Sequence, residues 1–213
     1  MPFADRDGVS IHYEVFGEGK PIVLIHGFAS SLKGNWVNPG WVDALTPIRQ
    51  VVALDCRGHG ESGKPDGPDA YAGDAMSEDV IAVMDDLDIA RADVFGYSLG
   101  GGIALRLLAA HPARFRSAIV GGVGERNDDR LQALGATRRP SRSSGGGAGL
   151  ASLTVPVLIV NGGDDRAVGS PETLAAAIPG ARLVKIPNRD HLTVVGDQRF
   201  RDAVVAFLQE QDT

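Results

Sequence analysis

The stretch VFGYSLGGG, residues 94–102, places Ser98 between Gly96 and Gly100, where an apolar run meets a helical pattern. A nucleophilic serine must stand clear of its own sheet, because a base has to reach it from one side and a substrate from the other. A sharp turn from strand to helix meets this need, but it strains the backbone and leaves no room for side chains at the flanking glycines. The pattern therefore predicts a nucleophile at Ser98. The alternative is a glycine-rich turn without chemistry.

A serine hydroxyl needs a base at neutral pH, and the base needs an acid to orient it. Among the five histidines, His191 follows a predicted strand near the C-terminus, where an open α/β sheet carries functional loops. Asp164 and Asp165 directly follow another predicted strand, and from the residues alone either could be the acid. The remaining histidines are expected to pack, to cap a helix or to shape turns: His12, His26, His59 and His111.

The elements that would position these residues alternate along the chain. Short runs rich in β-branched residues end in glycine or a polar turn, as buried parallel strands do: PIVLIHG, VVALDCRGHG and ADVFGYS. Helical patterns follow them, including residues 77–89, for which Ser77 is the expected N-cap, and residues 99–112. The alternation predicts an α/β fold: a mostly parallel sheet with helices on both faces and an antiparallel edge hairpin at residues 8–19.

One segment breaks this alternation. Residues 125–153 lose the strand and core signals, and they contain the low-complexity run RRPSRSSGGGAG. We expect a short flexible excursion here, with a short helix around residues 128–134, inserted between two strands of the sheet.

Composition limits the kind of protein this can be. The chain has 213 residues, 43% of them hydrophobic, so we expect a single domain over residues 1–213. A net charge of −6 argues against nucleic acid as a partner. No apolar stretch approaches the roughly 18 residues of a membrane span, and the N-terminal residues lack the pattern of an export signal. The single cysteine, Cys56, allows neither an internal disulfide nor a Cys-based metal site. We therefore expect a cytoplasmic protein that needs no metal or cofactor, and nothing in the sequence indicates its oligomeric state.

The chain resembles the α/β-hydrolase family over nearly its whole length, through the motifs VLIHGF, LDCRGHGES, GYSLGG, GGDDRAV and RDH. The serine, acid, histidine order along the chain is the one this family uses. The resemblance implies that Asp165, three positions after Gly162, is the acid and that Asp164 is a turn residue. It also implies an oxyanion hole formed by the backbone N–H groups of Phe28 and Leu99.

The same resemblance gives other residues a structural role. His26 is expected to hold the turn that carries the oxyanion hole. Polar residues of the LDCRGHGES loop are expected to act as scaffolding: Asp55, Arg57, His59 and Ser62. Many members of the family insert a helical lid where this chain has residues 125–153, so the lid is expected to be reduced or absent.

The activity implied by the resemblance is hydrolysis of small carboxylic esters through an acyl-enzyme. Ser98 would be the nucleophile, His191 the base and Asp165 the orienting acid, without a cofactor. Carbon–carbon bond hydrolysis, perhydrolysis and thioester cleavage use the same three side chains and stay open as alternatives. A ligand-sensing protein of slow turnover on this fold is a further alternative from another class.

Overall fold

The computed structural model describes residues 2–71, 74–125 and 148–212. Its strands are β1 (Phe3–Arg6), β2 (Val9–Phe16), β3 (Pro21–Ile25), β4 (Gln50–Leu54), β5 (Ala92–Tyr97), β6 (Phe115–Gly121), β7 (Val157–Gly162) and β8 (Arg182–Ile186). They form one eight-stranded sheet in the order β1-β2-β4-β3-β5-β6-β7-β8. The strands from β3 to β8 pair in parallel, whereas β2 is antiparallel to both of its neighbours. The predicted α/β fold with an antiparallel N-terminal edge is confirmed.

The edge hairpin begins earlier than predicted. β1 pairs with β2 from Phe3 onward, and Asp7 and Gly8 form the connecting turn with φ values of 53° and 80°. Two consecutive residues with positive φ are typical of the tight hairpin turn that an Asp-Gly pair favours. The first strand has only four residues, too few for an alternating pattern to be recognised.

The helices are α1 (Trp41–Leu45), α2 (Ala75–Asp86), α3 (Leu99–Ala110), α4 (Ala148–Ala151), α5 (Pro171–Ala177) and α6 (Gln198–Glu210). Shorter helical turns cover Lys33–Val37, Pro68–Tyr71, Pro112–Arg114 and Val194–Gly196. One face of the sheet packs against α2, α3 and α5. The other face packs against α1 and α6, with Trp41 in contact with the rings of Phe95 and Phe200. No helix in the described ranges is long and apolar enough to cross a bilayer.

The start of α2 differs from the prediction. Ser77 is not the N-cap, because the backbone carbonyl of Asp74 already accepts a hydrogen bond from the amide of Glu78 and closes a helical turn before it. Ser77 is instead buried within the first turn of the helix.

Two ends of the predicted excursion lie among the described residues. The amide of Glu125 donates to the carbonyl oxygen of Ser170, next to α5. At the other end, Leu150 packs against the core and Leu153 is buried, so these two side chains belong to the packed body of the protein. Residues 126–147, including the helix expected around 128–134, lie outside the described residues.

The parallel strands explain how distant parts of the sequence meet. Strands β5 and β7 are buried along their whole length, so they read as continuous apolar runs. Because parallel strands end at the same edge of a sheet, the loops after β5, β7 and β8 emerge together. These loops carry Ser98, Asp165 and His191.

A buried arginine, Arg49, joins the opposite end of the parallel strands to the end of α6. Arg49 donates through Nε to Asp93 at 2.8 Å and through Nη1 to Asp212 at 2.7 Å. Its Nη2 donates to the backbone carbonyl of Leu208 at 2.9 Å. Arginine is almost never fully buried unless it is paired, and here the pairs tie α6 to the start of β5.

We expect Arg49→Met to lower the free energy of unfolding by about 3 kcal/mol, because Asp93 would stay buried after losing its main cationic partner. Arg182→Met is the matched control. The side chain of Arg182 is 46% exposed and its pair with Glu210 lies at the surface. Arg182→Met should therefore lower the free energy of unfolding by less than about 1 kcal/mol. Urea unfolding followed by circular dichroism measures both values. Equal losses in the two variants would contradict a structural role for the buried pair.

Candidate active site

Ser98 stands at a strained turn between the end of β5 and the start of α3. Its φ is 54° and its ψ is −107°, a conformation rarely adopted by a residue with a side chain. A Cβ on Gly96 would lie 2.0 Å from the carbonyl oxygen of Gly100, and a Cβ on Gly100 would lie 2.0 Å from that of Ile25. Only glycine fits at both positions, which is the arrangement predicted for a nucleophile elbow.

Hydrogen bonds on both sides hold the backbone of Ser98. Its amide donates to the carbonyl oxygen of Gly121, at the end of β6, at 2.7 Å. Its own carbonyl oxygen accepts from the amide of Gly102 in the first turn of α3, at 3.1 Å. The turn is thus tied both to the neighbouring strand and to the helix that follows.

The structure brings Ser98, His191 and Asp165 together. His191 Nε2 lies 2.9 Å from Ser98 Oγ, and His191 Nδ1 lies 2.8 Å from Asp165 Oδ2. The side chain of Asp165 is fully buried, and its other oxygen accepts from the amide of Ala167 at 2.9 Å. With a proton on Nδ1 donated to the carboxylate, Nε2 is free to accept the serine proton. Asp164, the other candidate acid, is exposed.

The loops after β7 and β8 hold each other in place. The amide of Gly163 donates to the carbonyl oxygen of Ile186 at 2.8 Å, and that of Asp164 donates to the carbonyl oxygen of Arg189 at 2.9 Å. A Cβ on Gly162 would lie 2.2 Å from the same Arg189 oxygen. This close approach sets the acid loop directly against the loop that carries His191.

Asp190 shapes the turn around His191, a role that was not identified from the sequence. Its Oδ1 accepts hydrogen bonds from the amides of Leu192 and Thr193 and from the Thr193 hydroxyl, at 2.7 to 3.0 Å. The pKa of Asp190 is lowered mainly by the hydrogen bonds from Thr193. The spacing of Asp190 and Thr193 is typical of a side-chain-capped turn, and it is the signal that could have revealed this role.

The two amides expected to form the oxyanion hole flank the elbow. Leu99 is the first residue of α3, so its N–H has no acceptor within the helix. Phe28 lies in the turn after β3, next to Gly27, whose amide donates to Asn35 Oδ1 at 3.0 Å. A Cβ on Gly27 would lie 3.5 Å from the carbonyl oxygen of Tyr97, which places this turn beside the elbow. The role of both amides as donors to a substrate stays a prediction.

His26 is buried beneath that turn. Its Nδ1 donates to the carbonyl oxygen of Gly27 at 2.7 Å, and its Nε2 accepts from the amide of Cys56 at 3.0 Å. Burial lowers the pKa of His26 from 6.5 to about 4. A neutral imidazole fits this pair of contacts, because a proton on Nε2 would face the N–H of Cys56. His26 thus joins the turn after β3 to the loop after β4, as a scaffolding role requires.

Asp55 is the centre of the loop after β4. Its Oδ1 accepts from the amide of Leu32 at 2.8 Å, and its Oδ2 contacts His12 Nδ1 at 2.9 Å and the amide of Glu61 at 3.0 Å. Although burial acts to raise the pKa of Asp55, these hydrogen bonds hold it below its usual range. The backbone carbonyl of Asp55 also accepts from the hydroxyl of Ser62 at 2.6 Å.

The rest of this loop is anchored by the other two residues expected to be scaffolding. Arg57 forms a two-point ion pair with Asp79 of α2, with distances of 2.6 and 2.5 Å. His59 Nε2 accepts from the amide of Ala29 at 3.2 Å, and its ring contacts that of Phe28. Both contacts hold the loop against neighbouring elements of the fold.

We find no candidate metal site in the part of the chain that the structure describes, residues 2–71, 74–125 and 148–212. No group of three or more His, Cys, Asp or Glu side chains there could hold a metal ion. Cys56 is buried, and burial raises the pKa of its thiol. A thiol of raised pKa stays protonated and is a poor nucleophile at neutral pH.

Comparison with known proteins identifies the family. The family model of the alpha/beta hydrolase fold matches residues 20–128, just over half of the chain, and the chain belongs to this family. The matched residues include Phe28 and the Ser98 elbow, whereas Asp165 and His191 follow them.

Individual relatives cover different shares of the chain. The dihydrolipoyllysine-residue acetyltransferase component of the acetoin cleaving system of Pseudomonas putida is 41% identical over 121 residues, 53% of this chain and 30% of that protein. The 2-hydroxymuconate semialdehyde hydrolase of Pseudomonas sp. strain CF600 is 36% identical over 119 residues, 54% of this chain and 41% of that protein. The chain therefore spans less than half the length of these two relatives. The enol-lactonase of Burkholderia xenovorans LB400 superposes with a TM-score of 0.80 and 26% identity, covering 98% of this chain and 100% of that one.

The buried His26 should make stability depend on pH. With a pKa of about 4 in the folded protein and about 6.5 in the unfolded chain, only the unfolded chain takes up this proton between these values. The free energy of unfolding should therefore fall by up to about 3 kcal/mol from this group as pH decreases from 6.5 to 4.

The variant His26→Gln lacks this titration. At pH 8 its free energy of unfolding should be lower than that of the wild-type protein, because the substitution removes the contacts of the ring. Below pH 6.5 this free energy should decline less steeply than in the wild-type protein. Urea unfolding at a series of pH values measures both profiles. Parallel profiles for the two proteins would show that His26 does not remain neutral in the folded state.

Proposed function

We propose that this chain is a serine hydrolase that cleaves small carboxylic esters through an acyl-enzyme intermediate. The observation that carries the proposal is the hydrogen-bonded series Ser98, His191 and Asp165 at a strained elbow. A buried acid, an imidazole and a hydroxyl in this order are the parts that nucleophilic catalysis by serine requires.

In the first step, Ser98 Oγ attacks the carbonyl carbon of the ester while His191 Nε2 takes the hydroxyl proton. The carbonyl electron pair moves to its oxygen, and the N–H groups of Phe28 and Leu99 stabilise the negative charge. Asp165 stabilises the imidazolium that forms, because its carboxylate accepts the Nδ1 proton. The tetrahedral intermediate then expels the alcohol, which leaves with the proton held on Nε2.

In the second step, water replaces the alcohol. His191 Nε2 takes a proton from the water as its oxygen attacks the acyl carbonyl carbon, and the same two amides stabilise the second oxyanion. Collapse of this intermediate breaks the bond to Ser98 Oγ, which recovers its proton from His191. The carboxylic acid is released and the enzyme returns to its starting state.

The substrate class is drawn partly from the relatives. The enol-lactonase that covers 98% of this chain is named for a cyclic ester, which supports esters, cyclic ones included, as substrates here. Carbon–carbon bond hydrolysis is the second candidate, favoured by the similarity to 2-hydroxymuconate semialdehyde hydrolase. Perhydrolysis and thioester cleavage remain variants of the same chemistry.

The remaining proposals concern the protein as a whole. We propose a single domain over residues 1–213, in which the segment 125–153 stands at the position of the family's lid. A small ester is its proposed partner, with neither nucleic acid nor membrane, and the cytoplasm is its proposed location.

A substrate panel tests the proposed activity. We expect the wild-type protein to hydrolyse short-chain aryl esters and simple lactones, and to act more slowly on a dienone acid that reports carbon–carbon cleavage. Ser98→Ala should lower kcat/KM for the esters by at least about 1000-fold, because the three side chains act as a unit. It should also abolish the covalent adduct formed with a fluorophosphonate, measured by intact-protein mass. A folded Ser98→Ala protein that keeps most of its ester hydrolysis would exclude the proposal, and faster turnover of the dienone acid would favour the second candidate.

Two neighbouring aspartates offer a matched test of the acid. Asp165→Asn should lower kcat by about 10³- to 10⁴-fold, because an amide cannot hold the imidazole in the required tautomer. Asp164→Asn makes the same chemical change at an exposed position and should alter kcat by less than about threefold. Steady-state kinetics on one aryl ester measures both variants. A larger loss in Asp164→Asn would transfer the acid role to that residue.

A further inference from the structure

Tyr97 is the last residue of β5 and directly precedes Ser98. Its side chain is buried, and its hydroxyl donates a hydrogen bond to the backbone carbonyl oxygen of His191. The Tyr97 ring also lies beside the imidazole, with ring centroids 5.6 Å apart and planes tilted by 35°. Since Ser98 Oγ contacts Nε2 of the same histidine, two consecutive residues hold His191, one by its backbone and one by its ring.

The Tyr97 ring has little room to move. A Cβ on Gly121 would lie 2.9 Å from Tyr97 Cδ2 and 2.7 Å from Phe200 Cζ. A Cβ on Gly122, whose φ is +61°, would lie 3.0 Å from Tyr97 Cζ and 3.1 Å from His191 Cε1. Because Gly121 and Gly122 have no side chains, the rings of Tyr97, Phe200 and His191 can approach the end of β6. Packing therefore sets the direction in which the Tyr97 hydroxyl points.

The backbone contact supplies a constraint that the ring contacts do not. Hydrogen bonds at the two ring nitrogens orient the imidazole toward Ser98 and Asp165, but they act on the side chain of His191 and not on its backbone. The loop of His191 lies at the surface, and the next residue, Leu192, is 81% exposed. A hydrogen bond from the rigid Tyr97 to the His191 backbone fixes the distance between this loop and the elbow.

The Tyr97 hydroxyl keeps its proton under working conditions. Burial raises the pKa of this hydroxyl, and the negative charges of Asp165 and Asp190 raise it further. A protonated hydroxyl can donate to a carbonyl oxygen, so the contact persists throughout the neutral pH range.

We infer that Tyr97 is a positioning residue, which holds the general base at the distance from Ser98 that proton transfer requires. The inference rests on the proposed function, because it takes His191 to be that base. Misplacement of a catalytic group by about 1 Å can lower a rate about 100-fold. Loss of one hydrogen bond at a well-packed site should have a smaller effect, about tenfold in kcat.

The variant Tyr97→Phe removes only the hydroxyl and keeps the packed ring. The matched control is Tyr13→Phe, because Tyr13 is also buried and its hydroxyl also donates to a protein group, the carboxylate of Asp86 on α2. Steady-state kinetics on an aryl ester gives kcat and KM for each variant. Proton NMR of the Nδ1–H between His191 and Asp165 reports the order of the imidazole without any turnover, and urea unfolding gives the stability of each variant.

For Tyr97→Phe we expect kcat to fall about tenfold with KM within about twofold of the wild-type value, and the Nδ1–H resonance to broaden or vanish. Tyr13→Phe should lose comparable stability but keep both kcat and the resonance. Unchanged kcat and an unchanged resonance in Tyr97→Phe would overturn the inference, as would equal kinetic losses in the two variants. Absence of ester turnover in the wild-type protein would contradict the proposed function instead. The resonance would then decide the positioning role: its loss in Tyr97→Phe supports that role and its retention overturns it.

Discussion

The close approach of α3 to the sheet is the constraint on which the site depends. The helix begins directly above the strand ends, with the carbonyl oxygens of Gly100 and Ile25 where a side chain at Gly96 or Gly100 would have to be. Ser98 adopts a strained conformation at this turn, and its hydroxyl lies against His191 Nε2. Strain of this kind persists only when the surroundings over-determine it, and here the bonds to Gly121 and Gly102 do so.

The remainder of the fold can be understood as support for loops that leave one edge of the sheet. The loop after β4 is held by a largely buried network around Asp55, and the turn after β3 is joined to it through His26. A buried polar group is favourable when its hydrogen bonds are satisfied, and the neutral His26, between a donor and an acceptor, meets that condition. On one face of the sheet, the rings of Trp41 and Phe200 contact Phe95, which packs α1 and α6 against β5.

Much of this arrangement could be predicted from the sequence, for identifiable reasons. Strands buried on both faces read as continuous apolar runs, and a nucleophile elbow requires glycines at fixed spacing, so β3 to β7 and the position of Ser98 could be predicted. The choice between Asp164 and Asp165 depends on a single residue of loop length, which no periodicity reports. The burial of Arg49 depends on partners far away in sequence, at Asp93 and Asp212. The contact of Tyr97 with His191 joins a side chain to a backbone atom 94 residues away, and neither residue type indicates such a contact.

The position of His191 beside an edge strand affects the order in which parts of the protein unfold. The residue follows β8, which is one of the two edge strands of the described sheet and pairs only with β7 there. Ser98, the proposed nucleophile, follows the central strand β5, between β3 and β6. Local opening draws on the least protected units of a fold, such as loops, and β8 is an edge strand with a single buried residue. Under mild denaturation His191 would therefore separate from Ser98 while the elbow is still folded, so the proposed activity would be lost before the chain unfolds.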